Sequence, residues 1–218
     1  MSELRILIAD DHELIRRGVR TLLEAEPGWK VVAEASDGQE AFEKAKETKP
    51  EIVVLDIGMP RLSGLEAARR LKRIFPQIKV LMLTMHDSER LAWEVLNVGA
   101  LGYVTKSDTA RDLVIAIEAL RRDKTFFTPK VDRIILDSFL NGGSSKRAKE
   151  MQGEQLTSRQ REIVQLLAEG KTSKEVSALL NLSVKTVETH RANIMRRLSC
   201  HSVSDLVRYA VRNNIVQP

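Results

Sequence analysis

Cysteine is nearly absent: Cys200 is the single thiol in 218 residues. One thiol excludes an internal disulfide framework and fits a reducing cytoplasm; it reads as structural or incidental rather than catalytic. Neither a CxxC pair nor a His/Cys cluster occurs, so a structural zinc site is not expected. Long apolar runs are missing as well. Nothing approaches the roughly 20 residues that span a bilayer, so no membrane partner is expected. The opening Met-Ser-Glu-Leu-Arg-Ile lacks the basic region and apolar stretch of a secretion signal, which again points to the cytoplasm. No G-x-x-x-x-G-K-[ST] loop and no kinase signature is present, which argues against turnover of an external nucleotide.

What is present begins with an uneven charge distribution. Residues 1–140 carry 22 basic and 23 acidic side chains, whereas residues 150–218 carry 10 basic and 7 acidic ones. Between them Lys146, Arg147 and Lys149 stand without an acid. A near-neutral front and a basic back suggest that only the back meets a polyanion. The length admits one large domain or two ordinary ones.

The first 125 or so residues alternate short apolar runs with helical patterns. Leu4 to Ala9, Val31 to Ala35, Ile52 to Leu55, Val80 to Thr84 and Gly102 to Thr105 read as buried strands. Helical spacing follows in Leu14 to Glu24 and around 40–48, 64–74, 88–96 and 110–122. Five strands each followed by a helix predict an α/β fold: a parallel sheet with helices on both faces. Residues 130–140 read as one more helix, and Asn141 to Lys149 as a polar, basic, flexible tether. From Leu156 onward only helical patterns occur.

Ligands of such sheets bind beyond the carboxyl ends of the strands. The first strand ends in Asp10-Asp11, the third in Asp56 and the fourth in Thr84; Lys106 follows the fifth. Taken singly, the Asp pair could be helix capping, and Lys106 and Thr84 a solvated lysine and a strand-end hydroxyl. Together they are harder to dismiss. Three acids in one crevice demand a cation, and a hard divalent ion such as Mg2+ (or Mn2+) suits oxygen ligands. Asp56, followed by Ile57-Gly58-Met59-Pro60, is the best nucleophile candidate, with the Gly58 carbonyl close enough to join the metal shell. Lys106 and Thr84 would then meet the oxygens of a transferred phosphoryl group.

These residues, with Met59-Pro60 and Gly64, resemble in order and spacing the receiver domain of two-component signalling. The resemblance implies a flavodoxin-like (βα)5 fold over residues 1–125. It places the phosphoacceptor role on Asp56, catalytic support on Lys106 and Thr84, and metal roles on Asp11, Asp56 and the Gly58 carbonyl, with Asp10 supporting. Thr84 and Tyr103 match the family's switch pair: Thr84 would move toward the phosphoryl group and Tyr103 turn inward behind it. Ser107 stands where many receivers have proline.

Thr157 with Gln160 forms a capping-box pattern that opens a helix through Ala168, and Gly170 closes it. Ser173 then caps Lys174 to Leu180, and after Asn181-Leu182 a longer helix runs to about Leu198. Two helices across so short a turn predict a helix-turn-helix. Val187, Ile194 and Leu198, with His190 or Arg191, face inward. Lys185, Thr186, Glu188, Thr189, Ala192 and Arg196 face outward, and Lys171 and Lys174 lie near a helix start where phosphates can be held.

The text Leu156 to Glu162, Gly170 to Val176 and Ser183 to His190 resembles the LuxR-type helix-turn-helix of NarL/FixJ-class response regulators. That resemblance implies an all-α domain of about four helices over residues 154–218, joined through a helix and linker at 126–153. It makes the last helix, with Val203, Leu206, Val207 and Ala210 on one face, a dimerisation helix. The expected function is phosphorylation of Asp56 by a sensor histidine kinase, gating dimerisation or domain release and sequence-specific binding to double-stranded DNA. Implied partners are DNA, the kinase, a second copy and RNA polymerase. Catalysis is expected only on the protein itself, as phosphorylation and dephosphorylation of Asp56. A regulator gated by a small ligand through a degenerate receiver is the alternative, and the intact Asp10, Asp11, Asp56, Thr84 and Lys106 argue against it.

Overall fold

The computed structural model describes residues 3–85, 89–107, 110–127, 156–213 and 215–216, with only the backbone of 89–90. The expected helix at 130–140, the tether at 141–149 and the junction at 128–153 lie outside the described residues. The chain forms two compact units, Met1–Ile135 and Leu136–Pro218.

The first unit is a five-stranded sheet: β1 (Leu4–Ala9), β2 (Trp29–Ala35), β3 (Ile52–Asp56), β4 (Lys79–Thr84) and β5 (Gly102–Thr105). Every neighbouring pair is parallel, in the order β2-β1-β3-β4-β5. The helices between them are α1 (Glu13–Glu24), α2 (Gly38–Thr48), α3 (Gly64–Ile74), α4 (Glu89–Asn97) and α5 (Ala110–Arg121). Strand side chains alternate between two cores, as the two-residue period of a strand requires. Ile6, Ile8, Ile52 and Val54 pack with Val19 and Leu23 of α1 and Leu113, Ile117 and Leu120 of α5. Leu7, Ala9, Val53 and Leu55 pack on the opposite face with residues of α2, α3 and α4. Because both faces are covered, these strands are near-continuous apolar runs rather than alternating ones.

The sheet's switch point lies between β1 and β3. There Ala9 pairs with Leu55, so the next residues, Asp10 just beyond β1 and Asp56 at the last position of β3, stand side by side. Gly64 makes the approach of α3 possible: a Cβ at this position would overlap the Asp56 carbonyl oxygen. Its amide donates to the Ile57 carbonyl at 2.9 Å, closing the turn that carries Gly58.

The second unit holds α6 (Ser158–Ala168), α7 (Ser173–Leu180), α8 (Val184–Arg197) and α9 (Val203–Arg212). Thr157 and Gln160 form the expected capping box, and Gly170 takes φ +84° just past α6. Thr172, not Ser173, caps α7, through a second capping box with Glu175 that a search for the nearest serine overlooks. Asn181, at φ 52°, turns the chain between α7 and α8, and the Ser183 hydroxyl accepts from the Thr186 amide to start α8. One core holds the unit together, with Ile163, Val164 and Leu166 of α6, Val176 of α7, Val187 and Ile194 of α8, and Leu206 and Ala210 of α9.

Candidate functional site

At the strand ends of the first unit, Asp10 and Asp56 are each 1% exposed. Lys106 follows β5, and its amide donates to the Thr84 carbonyl at 2.6 Å, which anchors it to the end of β4. From there the buried Lys106 Nζ reaches Asp10 Oδ2 at 2.7 Å and Asp56 Oδ2 at 3.0 Å. These are ion-pair distances without hydrogen-bond geometry, and Asp56 Oδ1 is buried with no hydrogen-bond partner at all. Asp11 stands on the rim. Arg16 of α1 donates to the Asp10 backbone carbonyl at 2.7 Å and steadies the β1 end.

Electrostatics follow from this packing. Burial is the largest influence on Asp56 and pushes its carboxyl up; Lys106 pulls the other way, and Asp10 and Asp11 reinforce burial. Burial alone would lower the Lys106 ammonium, but the attraction of Asp10 and Asp56 outweighs it and holds the proton on more firmly. Three carboxylates against one ammonium leave surplus negative charge around an unpartnered carboxylate oxygen. The cluster could therefore hold a metal ion, and its oxygen-rich donor set fits a hard divalent cation.

Thr84 ends β4 and is 2% exposed, and Gly58 is half-buried in the turn after β3. Tyr103 is fully buried among the residues facing α2, α3 and α4. The ring is thus already in the inward position expected of the switch aromatic, and β5 carries it on the face opposite Val104. Sequence reasoning also missed His12. Its Nδ1 lies 2.8 Å from Asp11 Oδ1 and 3.3 Å from Asp10 Oδ1. Its position directly after the Asp-Asp pair is the signal that could have exposed it. A further omission is Asp37, whose buried side chain caps α2 and pairs with Arg61 of the β3–α3 loop.

In the second unit the inward set is as expected for Val187 and Ile194, which are fully buried, while Leu198, His190 and Arg191 are half-buried. Lys171, Lys174, Lys185, Glu188, Thr189, Ala192 and Arg196 are exposed, and Thr186 is half-buried with its hydroxyl 2.8 Å from that of Ser183. The exposed residues of α8 form a mostly polar face, with Lys185 near its start, Arg196, which donates to Asn193 Oδ1, near its end, and Glu188, Thr189 and Ala192 between them. The amphipathic reading of α9 requires a correction. Leu206 and Ala210 are 1% and 0% exposed inside their own unit's core, so neither can also line a dimer contact. Val203 is exposed and Val207 half-buried.

Two family descriptions match this chain: the response regulator receiver domain over residues 6–118 and the luxR family of bacterial regulatory proteins over residues 154–210. The chain belongs to the two-component response regulators with a LuxR-type DNA-binding domain. This response regulator is 35% identical over 215 residues to the oxygen regulatory protein NreC of Staphylococcus carnosus (strain TM300), covering 98% of this chain and 99% of NreC. It resembles a LuxR family two-component response regulator from Aurantimonas sp. SI85-9A1, with 39% identity and a TM-score of 0.60 across 64% of this chain and 99% of that one. The RcsB response regulator of Salmonella typhimurium matches at 25% identity and a TM-score of 0.64, over 98% and 99% of the two chains. The described carboxylate cluster thus lies in the receiver, and α7 and α8 in the LuxR-type domain. No described helix of this response regulator is long and apolar enough to cross a membrane.

Proposed function

We propose that Asp56 is the phosphoacceptor of this response regulator and that its phosphorylation gates DNA binding and transcription. The observation that carries the reading is the buried Asp56 carboxylate: one oxygen lacks a partner, and Lys106 holds the other. A carboxylate oxygen of Asp56 would attack phosphorus as the bond from phosphorus to the histidine nitrogen of a sensor kinase breaks. Asp10, Asp11, Asp56 and the Gly58 carbonyl would hold Mg2+ (or Mn2+), which supplies charge neutralisation at the carboxylates and the phosphoryl oxygens. Lys106 meets a second phosphoryl oxygen and the Thr84 hydroxyl a third. With Tyr103 already buried, movement of Thr84 would lock the inward ring rather than draw it in, shifting a population rather than creating a state. The chemistry of this response regulator is confined to phosphorylation and dephosphorylation of its own Asp56.

For the DNA-binding part we read residues 1–125 as the receiver, 126–153 as helix and linker, and 154–218 as the helix-turn-helix domain of a cytoplasmic protein. The α8 helix would enter the major groove, with Thr186, Glu188, Thr189, Ala192 and Arg196 near base edges. Lys171, Lys174 and Lys185 would hold phosphates beside helix N-termini. RcsB has been solved as dimers bound to DNA, which supports a homodimer here too. RNA polymerase would be the downstream partner. Phosphorylation would act by dimerisation or by release of contacts between the domains.

Intact mass and sedimentation of wild type and Asp56→Asn, with and without Mg2+ and acetyl phosphate, test the reading. A phosphoryl adduct on wild type alone, with dimer formation, supports a dimerisation switch. An adduct without a change in assembly favours domain release, and normal labelling of Asp56→Asn sinks the assignment.

A further inference from the structure

His12 adds one more donor at the receiver pocket. His12 occupies the N-cap of α1 with extended backbone, φ −89° and ψ 107°, yet its side chain makes no capping hydrogen bond. Its Nδ1 instead sits over the β1 end, 2.8 Å from Asp11 Oδ1 and 3.3 Å from Asp10 Oδ1. A ring nitrogen of His12 and one oxygen each from Asp10, Asp11 and Asp56 all lie within 4.8 Å of one another. Ligands about 2.1 Å from an octahedral ion stand about 3 Å apart in cis and about 4.2 Å in trans, so small side-chain rotations let these donors converge on one ion. A second observation points the same way: Asp56 Oδ1 is a buried carboxylate oxygen that still lacks a partner.

We propose that His12 turns this pocket into a mixed nitrogen–oxygen site that binds Zn2+, or a similar divalent transition ion, more tightly than Mg2+. The inference rests on the reading that the pocket holds a divalent cation. Mg2+ selects oxygen ligands and gives up its water reluctantly, whereas imidazole suits zinc, nickel and copper. His12 is 52% exposed, so its nitrogen reaches an ion without any buried charge having to move. Because the transition ion takes the Asp11 and Asp56 oxygens that Mg2+ uses, the two compete. Free Zn2+ therefore raises the Mg2+ concentration needed to fill the pocket.

Calorimetric titration of the full-length chain with Zn2+, and separately with Mg2+, tests this on wild type, His12→Asn and Asp56→Asn. Asparagine is a favoured N-cap, so α1 keeps its start, and circular dichroism checks that it does. His12→Asn should weaken Zn2+ binding about tenfold or more, a loss that even outer-shell partners can cause. Its Mg2+ affinity should change by less than about twofold, since Mg2+ does not use the imidazole. Asp56→Asn should weaken both ions, and with Co2+ as probe the visible bands of wild type should shift in His12→Asn. Equal weakening of Zn2+ and Mg2+ in His12→Asn would overturn the proposal by making His12 a mere support for Asp11. So would unchanged Zn2+ binding, or a Zn2+ loss that Asp56→Asn does not share, which places the ion elsewhere, for instance at Cys200 and His201. Phosphoryl uptake with Mg2+ on the same samples separates the two readings. Its absence from wild type sinks the phosphoacceptor assignment, whereas intact uptake with unaltered Zn2+ binding in His12→Asn sinks this inference alone.

Discussion

Replacing Lys106 with methionine keeps most of the buried stem and removes the ammonium that lies 2.7 Å from Asp10 and 3.0 Å from Asp56. Both acids are 1% exposed and the lysine side chain 4%, so water cannot take over its role. Deleting one partner of a buried ion pair costs about 3–5 kcal/mol, because the remaining charge is left uncompensated. With a urea slope of roughly 1–3 kcal/mol per molar, a loss of about 3 kcal/mol moves the unfolding midpoint by about 1 M or more. The full-length chain suits the assay, since its two tryptophans, Trp29 and Trp93, both belong to the receiver. Tryptophan emission, excited selectively over tyrosine, therefore follows receiver unfolding. Mg2+ at a hundred times its dissociation constant returns about 2.7 kcal/mol by mass action. In Lys106→Met the ion is the remaining source of positive charge at the two acids, so it should bind tighter and return more than it does to wild type. A loss below about 1 kcal/mol without metal, or a Mg2+ gain no larger than that of wild type, would refute the electrostatic account of the pocket.

Glu40 is held down at about 2: burial pulls its carboxyl up, but Lys44 and the Ser36 amide and hydroxyl outweigh that. A lowered carboxyl stabilises the fold above its ordinary value of 4.5 and loses that contribution as pH falls toward 2. Glu40→Gln should thus cost roughly 1 kcal/mol at neutral pH and nothing near pH 2, as urea midpoints across that range will show. Lys185→Ala, at the exposed start of α8, should weaken binding to many DNA sequences alike and reduce the salt slope by about one unit if it meets one phosphate. A loss confined to one base preference would make it a base reader instead. Leu206→Ala should destabilise the DNA-binding domain by about 2–5 kcal/mol, whereas Val203→Ala should change stability by less than about 0.5 kcal/mol. If the exposed part of α9 is the dimer face, sedimentation of Val203→Ala will show weaker self-association with the fold intact.

Local signals carried much of this molecule in its sequence. The bounds of β1, β5 and α3 follow from where apolar runs and helical spacing stop, and the Thr157–Gln160 cap from the hydrogen-bonding needs of a free helix end. The acids at the strand ends were legible for a similar reason. Parallel strands alternating with helices must present their carboxyl ends on one edge, so Asp10, Asp56, Thr84 and Lys106 fall together by topology alone. What stayed hidden required distances between segments far apart in the chain. Only the folded receiver shows that Lys106 divides itself between Asp10 and Asp56, leaving one Asp56 oxygen bare. Only there does His12 prove to lean on Asp11 rather than cap its helix, and Tyr103 to be buried already. The α9 helix is the clearest division: its apolar stripe was plain in the sequence, but a stripe does not name what covers it. Packing against α6 took Leu206 and Ala210 into the domain's own core, because burial depends on which surfaces meet and not on periodicity.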